Sequence, residues 1–156
     1  MSVTRREFFV KTLQGVAIIA IPTALGTLLE SCKTDITGPT GATMSKMQGT
    51  LSNGVVTINI DSSSPLSVVG SAASVDYSSG SLLVDHPSTD TFNAFSSICT
   101  HQGCTIDNFD TGTENFVCTC HNSRFGTDGK VVNGPASSPL PQYKTVFANN
   151  QLKITI

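Results

Sequence analysis

Cys99-Thr100-His101-Gln102-Gly103-Cys104 and, after 13 intervening residues, Cys118-Thr119-Cys120-His121 are the stretch on which the reading of this chain turns. Four of the five cysteines lie between positions 99 and 120, interleaved with two of the three histidines. Such clustering points to metal chemistry rather than to scattered disulfides. Each box offers one thiolate and one imidazole, and two such loops can face one another across a metal centre. Cys and His in closely spaced pairs also describe tetrahedral zinc, but a zinc site does not account for Cys104 and Cys120.

Around the boxes the chain reads as short β-branched runs broken by turn residues, at 55–60, 67–69, 81–84, 91–98, 115–117, 130–132 and 143–156. Asn149-Asn150 tolerate positive φ and separate Val146-Phe147 from Leu152-Lys153-Ile154, a hairpin signal. No amphipathic helix and no internal repeat follow residue 32, so an all-β antiparallel sandwich or barrel is expected over residues 48–156. Phe92, Phe95, Phe109, Phe116 and Phe147 read as core or loop packing. His86, before Pro87, reads as a loop or surface histidine without a role.

Charged residues make up 13% of the 156 and the formal net charge is -2, which excludes an electrostatic grip on nucleic acid. From Lys33 onward six basic and nine acidic residues leave a mildly acidic domain. Residues 33–47 show no apolar periodicity and two glycine-containing breaks, and read as a flexible tether.

Residues 1–32 read as an address and an anchor. Arg5-Arg6 precede Phe8-Phe9, and an uncharged, largely apolar stretch runs over residues 12–29. This resembles a twin-arginine export signal, a route that carries folded proteins and so suits a cofactor inserted before export. Leu29-Glu30-Ser31-Cys32 resembles a lipoprotein processing site with Cys32 as the lipidated residue, although Glu30 is an unusual occupant. The alternative is a retained transmembrane helix, for which 18 uncharged residues are at the lower limit. Either anchor puts the domain on the extracytoplasmic, periplasmic face of the membrane.

The boxes match, in order, the Cys-x-His-x-Gly-Cys and Cys-x-Cys-His motifs, and the chain resembles the Rieske iron-sulfur family from about residue 92 to residue 156. The likeness continues through Ser123-Arg124-Phe125 and Asn133-Gly134-Pro135-Ala136 to Pro139-Leu140-Pro141. The resemblance implies a [2Fe-2S] cluster with Cys99 and Cys118 on one iron, His101 and His121 on the other, and a Cys104–Cys120 disulfide, with a cluster-binding subdomain on the β fold. Histidine ligands lower the negative charge around such a cluster and raise its potential. By the same resemblance Gly134-Pro135-Ala136 is the proline loop covering the cluster, and the Ser123 hydroxyl donates a hydrogen bond to a cluster sulfur. Phe125 departs from the tyrosine of high-potential members, which implies a potential below the family's upper end. Asn122 stands where glycine is usual, a departure that bears on the local turn and not on the ligands.

The function implied is electron carriage by a subunit rather than by a self-contained enzyme. The leading expectation is a membrane-tethered subunit of a quinol-oxidising, cytochrome bc-like chain, passing electrons from a quinol or reductase site to a cytochrome. The alternative is the small Rieske subunit of a periplasmic molybdenum oxidoreductase of the arsenite-oxidase kind. A ferredoxin or oxygenase component is disfavoured by the export signal, the two extra cysteines and the lack of a second, mononuclear-iron domain.

Overall fold

A computed structural model describes residues 41–156; the twin-arginine pair, the apolar stretch, Cys32 and the first part of the expected tether lie outside the described residues. Thirteen strands follow one another: β1 (Ala42–Thr43), β2 (Ser45–Gln48), β3 (Thr50–Ser52), β4 (Val55–Asn59), β5 (Ala72–Tyr77), β6 (Gly80–Ser88), β7 (Thr91–Ser96), β8 (Asn108–Asp110), β9 (Asn115–Cys118), β10 (Ser123–Gly126), β11 (Val131–Asn133), β12 (Gln142–Ala148) and β13 (Gln151–Thr155). Among the described residues no helix is long and apolar enough to cross a membrane.

Eight strands form one sheet in the order β2-β5-β6-β7-β12-β13-β4-β3, and five form a second in the order β1-β8-β9-β10-β11. The two ends of the larger order, β2 and β3, are joined by Gly49 alone, so that sheet returns on itself as a nearly closed barrel. A Cβ at Gly49 would sit 2.6 Å from Val56 Cγ1, and the corner can therefore press its backbone into the core only without a side chain. All pairings are antiparallel except β2 with β5, which run parallel.

Strands β6 and β7 belong to the larger sheet and line both cores. Side chains alternate across a strand, so Leu82, Val84, Phe92 and Ala94 fill the barrel with Val56, Ile58, Leu152 and Ile154. Their neighbours Leu83 and Phe95 turn the other way and join Ile106, Phe109, Phe116 and Phe125 in a second core beneath the smaller sheet. This is why Leu82-Leu83-Val84 reads as an unbroken apolar run: both faces of that strand are covered.

The hairpin expected at Asn149-Asn150 is present, with φ of 52° and 58° at the two residues and Ala148 paired with Gln151. Asn53-Gly54, at φ 51° and 75°, makes an equivalent turn between β3 and β4. That dipeptide is a strong hairpin signal, and β3 is a strand that the expected runs do not include.

Three expectations need correction. Residues 67–69 are not a strand: Ser64 and Ser67 close local turns onto Asp61 and Ser64 carbonyls, and Val68 and Val69 are exposed. The tether does not extend to residue 47, because β1 pairs with β8 and β2 with β5. Met44 is buried in the second core and Met47 packs against the first, so this segment stitches the two together through contacts distant in sequence. His86 is buried on β6, stacked on Phe92 with ring centroids 4.2 Å apart. Strands β5, β8 and β10 were also unforeseen, since Ala72-Ala73-Ser74 and Asn108-Phe109-Asp110 have little β-propensity and are strands by virtue of their partners.

Candidate metal centre

The first box is the loop that leaves β7, closed by the Ile98–Thr105 bridge and by the Cys99 N–H donating to the Cys104 carbonyl at 2.8 Å. The second is the tip of the β9–β10 hairpin, where Cys118 pairs with Ser123. Both loops have one local design. Four residues after each first cysteine stands a residue with positive φ, Gly103 at 75° and Asn122 at 61°. Its N–H donates back to the cysteine carbonyl, at 2.9 Å in each box. Asn122 therefore takes up the left-handed turn that glycine usually supplies, which asparagine tolerates better than other side chains.

These two turns bring the candidate ligands together. Cys99 and Cys118 are free and buried, at 2% and 1% exposure. Burial pushes the Cys118 thiol up, and the adjoining Cys99 thiol adds to the effect. The rings of His101 and His121 lie edge to face with centroids 4.8 Å apart. His121 is exposed and His101 half-buried. The Nδ1 of His101 is buried with no hydrogen-bond partner, a cost that native interiors seldom leave standing. Cys104 and Cys120 form the disulfide that the resemblance implies, joining the two boxes across a Cα–Cα distance of 6.6 Å. The Cys118 sulfur lies within 4.8 Å of both disulfide sulfurs, which places the cross-link against the centre.

The segment from Asn133 to Ser138 is tied to both boxes. Ser123 is fully buried, and its Oγ accepts the Ala136 N–H at 3.0 Å, leaving its own proton to donate elsewhere. Asn133 Nδ2 donates to the carbonyls of Asn122 and Gly134, at 3.1 and 2.8 Å. Thr100 Oγ1 donates to the Ser138 carbonyl at 2.6 Å. Gly134 and Pro135 are exposed and joined by a cis peptide, while Ala136 is buried. Sequence reasoning identified Ser123, Gly134 and Pro135 here but missed Thr100 and Asn133, whose roles depend on loop-to-loop contacts with no local signal. Phe125 is fully buried in the second core. Arg124, beside it, reaches Asp110 on β8 at 3.0 Å and pins β10 to its sheet.

The two thiols adjoin one another and the two imidazoles lie edge to face, with one ring nitrogen buried and unsatisfied. This donor set fits a [2Fe-2S] cluster held by two cysteines and two histidines, and Cys99, Cys118, His101 and His121 are the residues that would hold it. Comparison with known proteins agrees. The Rieske [2Fe-2S] domain family matches residues 57–144. The chain is 33% identical over 75 residues to the cytochrome b6-f complex iron-sulfur subunit of Chlorobaculum tepidum, covering 48% of this chain and 40% of that one. It is 51% identical over 43 residues to the corresponding subunit of Prochlorococcus marinus, covering 28% of this chain and 24% of that one. The matches thus span less than half the length of these relatives. The crystal structure of the cyanobacterial plasma membrane Rieske protein PetC3 from Synechocystis PCC 6803 superposes with a TM-score of 0.54 at 29% identity, over 64% of this chain and 99% of that one. The ferredoxin of carbazole 1,9a-dioxygenase from Nocardioides aromaticivorans, at 19% identity and a TM-score of 0.50, shares the fold. The chain belongs to the Rieske [2Fe-2S] family and is an electron-transfer protein related to the iron-sulfur subunits of cytochrome b6-f complexes.

Proposed function

We propose that this chain is the membrane-tethered electron carrier of a quinol-oxidising, cytochrome bc-like chain, working on the extracytoplasmic face of the cytoplasmic membrane. The observation that carries this reading is the asymmetry of the ligand loops: Cys99 and Cys118 are buried, while His121 is exposed and His101 half-buried. The cluster, when bound, supplies one-electron redox chemistry. With its Nδ1 turned inward, His101 has Nε2 left to meet a partner and to hold a proton. A ring nitrogen gains proton affinity when negative charge arrives beside it, so the imidazoles are where an electron and a proton can be taken up together, as oxidation of a quinol requires. Thr100, Ser123 and Asn133 tie the segment from Asn133 to Ser138 to the two ligand loops.

The Cys104–Cys120 disulfide supports an oxidising compartment. Arg5-Arg6, the apolar stretch and Cys32 support export and tethering, and a lipid anchor there would need several acyl chains, because one binds membranes only marginally. A cytochrome is the acceptor this reading expects, and Phe125, in place of a hydroxyl donor, sets the potential below the family's upper end.

An EPR spectrum of the purified full chain, recorded after ascorbate and again after dithionite, tests the reading. A Rieske signal developed by ascorbate, with a potential that falls as pH rises, is expected. A signal that needs dithionite would overturn the quinol-chain role and favour a low-potential partner.

A further inference from the structure

Four sulfurs crowd the two ligand loops. The Cys118 sulfur lies within 4.8 Å of both sulfurs of the Cys104–Cys120 bond, and the Cys99 thiol adjoins Cys118 as well. Cys118 is a free thiol at 1% exposure, so its neighbours are these sulfurs rather than solvent, whereas Cys104 is half-buried and Cys120 exposed. A thiolate beside a disulfide can attack one sulfur and expel the other, a reaction that consumes neither oxidant nor reductant.

Ring size and leaving group decide which bond would form. Attack on Cys120 would close a ring across Thr119 alone, and disulfide geometry is specific enough to make so small a ring strained. Attack on Cys104 expels the exposed Cys120 sulfur, which water can solvate. It joins residues 14 positions apart where the present bond spans 16, so the closed loop and its chain entropy barely change.

We propose that Cys118 exchanges into the cross-link whenever iron does not hold it. Its thiolate attacks Cys104 Sγ, a Cys104–Cys118 bond forms, and the Cys104–Cys120 bond breaks with its electron pair leaving on Cys120. The proton given up by Cys118 ends on Cys120, so one disulfide and the same number of thiols remain. The product lacks one of its two cysteine ligands, and its centre is latched shut. A Cys118 sulfur bound to iron cannot displace Cys120, so ligand and cross-link coexist only in the loaded chain. Metal loading must then precede formation of the cross-link, the order that export of a folded, loaded chain provides. This latch rests on Cys118 as a cluster ligand and is independent of the electron donor, so its failure would leave the proposed electron-transfer role standing.

The test follows the full chain after its iron and sulfide are removed by chelation and gel filtration without oxygen. Samples taken over hours, the scale of uncatalysed disulfide rearrangement, are blocked with N-ethylmaleimide and mapped by tandem mass spectrometry. A Cys104–Cys118 peptide should accumulate, with the maleimide moving from Cys118 to Cys120 and the total of labelled cysteines constant. The loaded chain kept alongside should retain Cys104–Cys120 alone. The share of chains that can be reloaded should fall by the same fraction and recover after brief reduction with dithiothreitol. Persistence of Cys104–Cys120 as the only bond, a Cys99–Cys118 bond in place of the expected one, or reloading that does not fall as the new bond grows would overturn the proposal.

Discussion

The larger sheet closes on itself around aliphatic side chains, with Asn53-Gly54 and Asn149-Asn150 as plain two-residue turns. The smaller sheet has the same kinds of strand but ends in loops that must present buried thiols and accessible imidazoles side by side. Its strands rest on an apolar core of their own, but its loops are held by cross-links: the Cys104–Cys120 disulfide and the hydrogen bonds of Ser123, Asn133 and Thr100, with the Arg124–Asp110 pair bracing the sheet beside them. Apolar burial suffices where the surface only needs to be stable. Where ligands must sit at a surface, burial cannot hold the loops and directional bonds take over.

Four measurements would break or sharpen that contrast. Replacing both Cys104 and Cys120 by Ser should cost about 3 kcal/mol and release the cluster, with bleaching of the visible absorbance at lower temperature, while far-UV circular dichroism still reports a folded barrel. Simultaneous loss of both signals would mean that the two regions are one cooperative unit.

Asp85 probes the seam, because Asn93 Nδ2 bridges its Oδ2 and the Thr127 carbonyl, at 3.2 and 3.1 Å. Burial pushes its carboxyl up to about 7, with the Asn93 amide working the other way. The folded state therefore keeps a proton that the unfolded chain releases near 3.8, so stability present below about pH 4 is lost as pH rises to 7. The loss is on the order of 4 kcal/mol. Denaturant midpoints measured across that window should fall for the native chain and stay level for Asp85→Asn.

Ser123→Ala removes one hydroxyl from the smaller sheet and should leave the barrel untouched. If its hydrogen bond favours the reduced centre by about 1.4 kcal/mol, the reduction potential drops by about 60 mV, readable by protein-film voltammetry. A potential that does not move would confine Ser123 to its contact with Ala136.

The smallest effect comes from placing one backbone change in both regions. Asn122→Ala and Asn149→Ala each force alanine into a left-handed conformation at about 1 kcal/mol. Thermal melts should shift alike, but only Asn122→Ala should speed cluster loss on dilution into chelator. Equal loss from both would show that the second box needs no special turn.

Legibility divided along the same line. In the barrel, β-branched alternation and the Asn149-Asn150 turn gave β4, β12 and β13 directly, whereas β5 was hidden because Ala72-Ala73-Ser74 carries no pattern of its own. At the centre, Cys99, His101, Cys104, Cys118, Cys120 and His121 were legible because their chemistry is specific and their spacing short. Thr100 and Asn133 were not, since a threonine or asparagine earns a role only from the carbonyl that a remote loop puts in front of it.

By itself, then, the sequence determined the donor set, the all-β character and the cysteines available for a disulfide, all consequences of side-chain type and near-neighbour spacing. Only the tertiary structure decided that residues 42–43 and 45–48 are strands, that Gly49 closes the barrel, that His86 is buried against a cavity, and that the loop at Pro135 is bonded to both boxes. Each of these rests on a contact between residues far apart in the chain, and the free energy of such a contact has no signature in either partner until folding brings them together.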